Sequence, residues 1–187
     1  MDVNSFDIKI KSLSWGSEDI VLTFDNQDIS FHASYIGEEP LSSLIESLIA
    51  LEEEIINLDY THFFIKWQSE PGVLDIEMKK DKGKDHMKII IKRDDDNMDV
   101  GDGTGAKTFE LPYSLYKKTV IDTALKALVK YGVKGFNDSW SDGTETFPLC
   151  SLISLLTKTS SFNKTEESFH SDIYEELNCI RQALNNI

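Results

Sequence analysis

From Tyr60 to Arg93 apolar side chains stand at every second position, in three runs: Phe63, Ile65 and Trp67, then Leu74, Ile76 and Met78, then Met87, Ile89 and Ile91. A strand turns successive side chains to opposite sides, so a period of two puts each trio on one face. Glu70-Pro71-Gly72 and Asp81-Lys82-Gly83-Lys84 separate the runs with residues that favour tight turns. Three strands joined by short turns make an antiparallel meander with one apolar face. That face needs a cover, so this stretch is the platform for the remaining elements.

A second meander precedes it. Phe6, Ile8 and Ile10 alternate, then Ile20, Leu22 and Phe24, then Ile29, Phe31, Ala33 and Tyr35, with turns at Trp15-Gly16-Ser17 and Asp25-Asn26-Gln27-Asp28. Between the meanders a helix is predicted from Pro40, whose missing N–H is harmless in a first turn. Leu41, Leu44, Ile45, Leu48 and Ile49, then Ile55 and Ile56, form its apolar stripe.

Beyond the platform, Asp94 to Gly105 is expected to be an exposed loop and Lys107 to Leu111 a short strand. A long helix follows from Pro112, with Tyr113, Tyr116, Val120, Ile121, Ala124, Leu125 and Leu128 inward and Gly132 ending it. Phe136 to Glu145 has the polarity of a loop. Helix returns at Pro148, with Thr146 placed as an N-cap and Leu149, Leu152, Ile153 and Leu156 inward. A Ser/Thr-rich link leads to a last amphipathic helix from about Glu166, carrying Phe169, Ile173, Leu177, Ile180 and Leu184. The fold expected is α+β: two antiparallel three-stranded meanders, as one sheet or two packed sheets, with helices on one face and a helical C-terminus. Residues 1–135 form the core and 136–187 a helical extension packed on it, a single domain overall.

Charge narrows the partners. Residues 1–60 hold 13 acidic and 2 basic side chains, a balance of −11 within a net charge of −14. Binding to nucleic acid depends on cations that neutralise phosphates, so it is disfavoured, and a basic protein is the favoured partner. No apolar run approaches the ~20 residues of a membrane-spanning helix. The first residues, MDVNSFDIKI, have neither a basic nor an apolar region of the kind that leads a secreted chain, and a cytoplasmic protein is expected. Cys150 and Cys179 are spaced for neither metal nor redox work and are expected to be buried free thiols.

Motifs for chemistry fail on spacing. In the Asp94–Asp102 stretch, setting Gly101 at the sixth position of a calcium loop puts Met98 and Val100 where acids belong, and setting Gly103 there puts Met98 first. Gly101 to Thr108 lacks the Gly before Lys107 that a phosphate loop needs. His32, His62 and His86 are out of phase with the apolar trios and are expected at the surface, with His170 in the C-terminal segment. Asp75 and Glu77 are candidates for acid–base work in a rival reading, an enzyme or small-ligand binder with a pocket between sheet and helices. No cofactor is implied.

Residues that suit recognition remain. Glu38, Glu39 and Glu46 lie near the start of the first helix, where negative charge is favoured, whereas Glu52, Glu53 and Glu54 lie at its other end, where it is not. These six and the turn residue Trp15 are the candidate partner-binding set. Trp67 is in phase with the core, and Trp15 and Trp140, both in turn-like sequence, are expected to fold back onto it, with an interface anchor as the alternative.

Ala33-Ser34-Tyr35-Ile36 leads into the Leu-Leu-Ile helix, and Trp67-Gln68-Ser69-Glu70-Pro71-Gly72 joins two strands. Over Phe31 to Arg93 this combination resembles a group of small bacterial proteins with a Ser-Tyr strand end and a Trp…Glu-Pro-Gly turn. That group is similar to the small acidic α+β proteins that serve as immunity or antitoxin-type partners. The resemblance implies a non-enzymatic protein that engages a basic protein through an acidic face. Self-association through the last helix is a further expectation, drawn from its amphipathic pattern.

Overall fold

The computed structural model describes residues 1–14, 16–34, 38–52, 59–69, 72–94, 105–140, 147–157 and 173–186. Both meanders are present. β1 (Phe6–Ser14), β2 (Ser17–Phe24) and β3 (Gln27–Ser34) form a three-stranded antiparallel sheet in sequence order. β4 (Tyr60–Ser69), β5 (Gly72–Asp81), β6 (Met87–Asp94) and β7 (Ala106–Leu111) form the second, again in order. The second sheet thus has four strands rather than three, because the short strand after the Asp-rich stretch pairs with β6. The Asp-rich stretch itself lies, from 95 to 104, outside the described residues.

The expected trios face inward. A bulge at Lys11 shifts the β1–β2 register between Ile10 and Ser12, so Leu13 turns to the same side as Phe6 and Ile8 although its parity differs. The two sheets meet where Phe24 of β2 stacks on Phe109 of β7 at 3.9 Å between centroids, and within the first sheet Phe6 of β1 lies 4.9 Å from Phe24. Such pairs add roughly 0.5–1.5 kcal/mol beyond the area they bury. The N-terminal residues join the sheets by backbone as well, with Val3 N–H donating to Glu110 O at 2.7 Å and Glu110 N–H to Met1 O at 2.8 Å. Ser34 of β3 reaches the Gln68 carbonyl of β4 at 3.3 Å.

Helices cover the inner faces. α1 (Pro40–Glu52) packs on β4, with Leu41, Leu44, Ile45, Leu48 and Leu51 fully buried. α2 (Tyr113–Trp140) packs along β1. Its start is capped by Asp85 of the β5–β6 turn, which accepts the Ser114 N–H and hydroxyl, both at 2.6 Å. Gly132 breaks it with φ 66° and ψ 168°, but helix resumes to Trp140. The expected loop at 136–145 is therefore helical as far as Trp140. Phe136 and Trp140, one turn apart, both enter the core, and a Lys134–Asp138 ion pair spans the same turn. The boundary at 135/136 falls inside this turn.

α3 (Leu149–Thr157) packs against α1 and α4 (Ile173–Leu184) against α3. Leu152, Ile153 and Leu155 are buried, while Leu177 on α4 is 56% exposed. Thr146, Glu166 and Phe169 lie outside the described residues. Cys150, in the first turn of α3, is exposed and Cys179 half-buried, so neither is the enclosed thiol expected, and no disulfide joins them.

Candidate functional site

The alternation that fills the core leaves the other face of the four-stranded sheet facing outward. Register sets its rows: Phe64, Glu77, Ile90 and Thr108 across one line, Lys66, Asp75, Lys92 and Ala106 across the next, and His62, Lys79, Lys88 and Glu110 on the other side. Phe64 is 60% exposed and Tyr60 40%. The ring of His62 lies between them, 6.0 Å from Tyr60 and 5.2 Å from Phe64 in an edge-on contact. Around Phe64 and Ile90 lies a groove of about 340 Å³, edged by Lys66, Asp75, Glu77, Lys92 and, beyond the β4 edge, Glu38. Asp75 and Glu77, considered above for acid–base work, are paired here with Lys66 at 3.9 Å and Lys79 at 2.7 Å.

Glu38 and Glu39, consecutive in sequence, point opposite ways. Glu38 is exposed at the groove rim and accepts a hydrogen bond from the Lys66 backbone N–H. Partial burial and the charge of nearby Glu46 raise its pKa, against the pull of that N–H. Glu39 is 6% exposed and belongs to the interior. Its Oε1 accepts from Leu41 N–H at 2.8 Å and its Oε2 from Ser42 N–H at 2.6 Å, so it caps α1.

Facing Glu39 is Glu18, with no exposed surface. Glu18 stands on the inner face of β2 beside Leu13 and Ala33 in register. Among the described residues no N–H or O–H reaches either of its oxygens, and its contact is the Glu39 carboxyl itself. Two carboxyl groups in contact need a proton between them. Burial, then the negative charge of Glu39, hold the pKa of Glu18 well above the ordinary carboxylate range. Burial also raises that of Glu39, opposed by the hydrogen bond from Glu18 and those at the helix start. The two amides that donate to Glu39 favour it as the holder of the negative charge, which leaves Glu18 to supply the proton of the pair.

No family model, curated protein or solved structure matches the chain.

The candidate partner-binding residues are thus divided. Glu38 and Glu46 are exposed and close enough to feel each other's charge. Glu39 is removed from the surface by its capping role. Glu52 is exposed but held by Lys117 and by the Tyr113 hydroxyl at 3.3 Å, which answers its unfavourable place at the end of α1 with a cation from α2. Glu53, Glu54 and Trp15 lie outside the described residues. Trp67 and Trp140 are buried.

The histidines lie away from the buried carboxyls. His32 meets Asp19 at 2.7 Å on the outer face of the first sheet, and His86 lies between Asp81 at 3.1 Å and Glu110 at 3.6 Å. His170 falls outside the described residues. Among the described residues no three His, Cys, Asp or Glu side chains are grouped to hold a metal ion. No described helix is long and apolar enough to cross a membrane.

Sequence reasoning missed two features. Phe64 stands among the polar positions of β4, where an apolar residue in the outward phase was the available signal. Glu18 stands in phase with Ile20, Leu22 and Phe24, so the same period that found the core also pointed a carboxyl into it.

Proposed function

We propose that this chain is a non-catalytic recognition protein, of the bacterial immunity or antitoxin kind and cytoplasmic, that docks a basic protein on the outer face of the β4–β7 sheet. The observation that carries the reading is Phe64, mostly exposed at the centre of a groove whose rim mixes Glu38, Asp75 and Glu77 with Lys66 and Lys92. A large aromatic ring held in water on a rigid strand suits the anchor of an interface. Glu38 and Glu46 raise each other's energy as neighbouring anions, and a lysine or arginine from a partner relieves that repulsion. The net charge of −14 steers a cationic partner from a distance, whereas the mixed Lys66, Asp75, Glu77 and Lys92 frame sets the register of contact. The acidic set is therefore smaller than composition implies. Glu18, Glu39, Asp25 and Glu52 are engaged within the molecule, and Glu38 with Glu46 is the exposed acidic pair beside the groove.

Titrating the isotope-labelled protein with a short Arg/Lys peptide containing one Phe tests this. Amide shifts are expected to concentrate at Glu38, Phe64, Lys66, Ile90 and Lys92 and to weaken with salt. Phe64→Ser is expected to reduce affinity by roughly 30-fold, the loss of about 2 kcal/mol typical of an anchor. Shifts spread evenly over the acidic residues of both sheets would reject the site. Co-expression with a basic toxic protein encoded beside this gene tests the immunity part, and protection is expected to fail in the Glu38→Lys/Glu46→Lys variant.

A further inference from the structure

The buried pair at the start of α1 does something the groove does not require. We propose that Glu18 and Glu39 share a single proton, and that this proton is a latch fastening the first turn of α1 to the three-stranded sheet, released when the proton leaves. The proposal is independent of what binds the groove.

The geometry makes the latch. Glu39 is tied to the helix by the Leu41 and Ser42 amides, at 2.8 and 2.6 Å, and Glu18 is fixed on β2 between Leu13 and Ala33. The carboxyl–carboxyl contact is therefore a bond between helix and sheet, and it exists only while one of the two groups is protonated. Glu18 has no surface through which water reaches it and, among the described residues, no other donor within reach. Once its proton passes to solvent, two anions stand in contact in a site closed to bulk solvent. Among the described residues the charged groups acting on Glu18 are Glu39 at the start of α1 and Asp19 from its own strand, both negative, while Leu13 of β1 and Ala33 of β3 beside it are uncharged. No cation is among them to hold a second negative charge. The structure is left with one way to relieve the repulsion, which is to separate the helix start from β2 and admit water. Trp67 registers the same turn, because its indole N–H donates to Ser43, whose hydroxyl donates to the Pro40 carbonyl.

The sign follows from linkage. The raised pKa of Glu18 means that the folded chain keeps a proton the unfolded chain has lost. Stability from the pair is whole below the ordinary carboxylate range and is lost as pH rises through the folded pKa of Glu18.

Carboxyl-carbon NMR of the full chain from pH 4 to 10, read with the exchange rates of the Leu41 and Ser42 amides corrected for their intrinsic pH dependence, tests the latch. Glu18 is expected to titrate well above the other glutamates. Protection of the two amides is expected to fall at least about tenfold over the same interval, one unit of proton linkage. Glu18→Gln keeps an N–H donor toward Glu39 and cannot ionise, so its protection is expected not to change with pH. Glu39→Gln removes the facing charge and is expected to bring the Glu18 titration down toward the ordinary range. An ordinary Glu18 titration in the unaltered chain overturns the proposal, whatever the variants do. So does an equal loss of protection in Glu18→Gln.

Discussion

The indole N–H of Trp67, on β4, donates to the hydroxyl of Ser43, on α1, at 2.8 Å. Both side chains are buried, and the Ser43 hydroxyl donates onward to the Pro40 carbonyl at 2.9 Å. Ser43→Ala strands a buried N–H and is expected to destabilise the fold by about 1–3 kcal/mol. In a Trp67→Phe background the same substitution is expected to cost under about 1 kcal/mol, because no donor is left to strand. Urea unfolding of the four chains measures the difference, and equal costs in both backgrounds would show that the bond contributes nothing.

This bond also marks where sequence stops being informative. Alternation placed Trp67 inside and the α1 stripe placed Leu41, Leu44, Ile45 and Leu48, since a period of two or of 3.6 is a local property. The acceptor is not local: nothing in the string joins position 43 to 67, and serines within an apolar stripe read as interruptions until their partners are known. Ser47 is the second case, lying 2.7 Å from the Tyr116 hydroxyl. The turn at Phe136–Trp140 was hidden for another reason. Gly132 satisfies the rules for a helix end, and the burial of Phe136 and Trp140 that accompanies the resumed helix is a tertiary contact with no local signal. Of the site, the outward Phe64 and the inward Glu18 were both legible as phase errors, whereas the opposite directions of Glu38 and Glu39 depend on tertiary contact.

β1 is an edge strand, and among the described residues its outward carbonyls have no strand to pair with. Thr119 on α2 donates to the Phe6 carbonyl at 3.1 Å. Thr123 reaches the Ile8 carbonyl at 3.4 Å but gives its proton to the nearer Thr119 carbonyl at 2.8 Å. Thr119→Val, nearly the same shape, is expected to destabilise by about 1 kcal/mol, and Thr123→Val by less. Thermal unfolding of the two variants ranks them. The reverse order would mean that the Ile8 carbonyl is the one that matters.

Gly132 holds φ 66° with ψ 168°, a combination open almost only to glycine. A Cβ added there meets no atom within 4 Å, so substitution is penalised by the backbone alone. Gly132→Ala is expected to lose about 1–3 kcal/mol. Because Phe136 and Trp140 depend on the direction the chain takes after the break, near-ultraviolet dichroism of the tryptophans is expected to change with it. A neutral substitution would show that α2 runs straight through Gly132.

Asp25 anchors the entry of β1 to the β2–β3 turn. Its Oδ1 accepts the Ser5 N–H at 2.8 Å and the Asn4 N–H at 3.1 Å, and these bonds, that of Ser5 foremost, lower its pKa from the ordinary aspartate value of 3.8. A lowered acid contributes stability that is present above its unfolded pKa and lost as pH falls through the folded one. Asp85, lowered mainly by the Ser114 hydroxyl, acts in the same direction at the start of α2. Both therefore weaken the fold below about pH 4, the opposite end of the scale from Glu18. An asparagine in place of Asp25 would keep the oxygen acceptor and tolerate the positive φ of 50° found there, but it has no charge to lose. Asp25→Asn is expected to flatten the fall of the urea midpoint between pH 5 and pH 2, with the midpoint at neutral pH lowered only by the weaker acceptor. An unchanged acid limb would mean that Asp25 is as easily protonated in the folded chain as in the unfolded one.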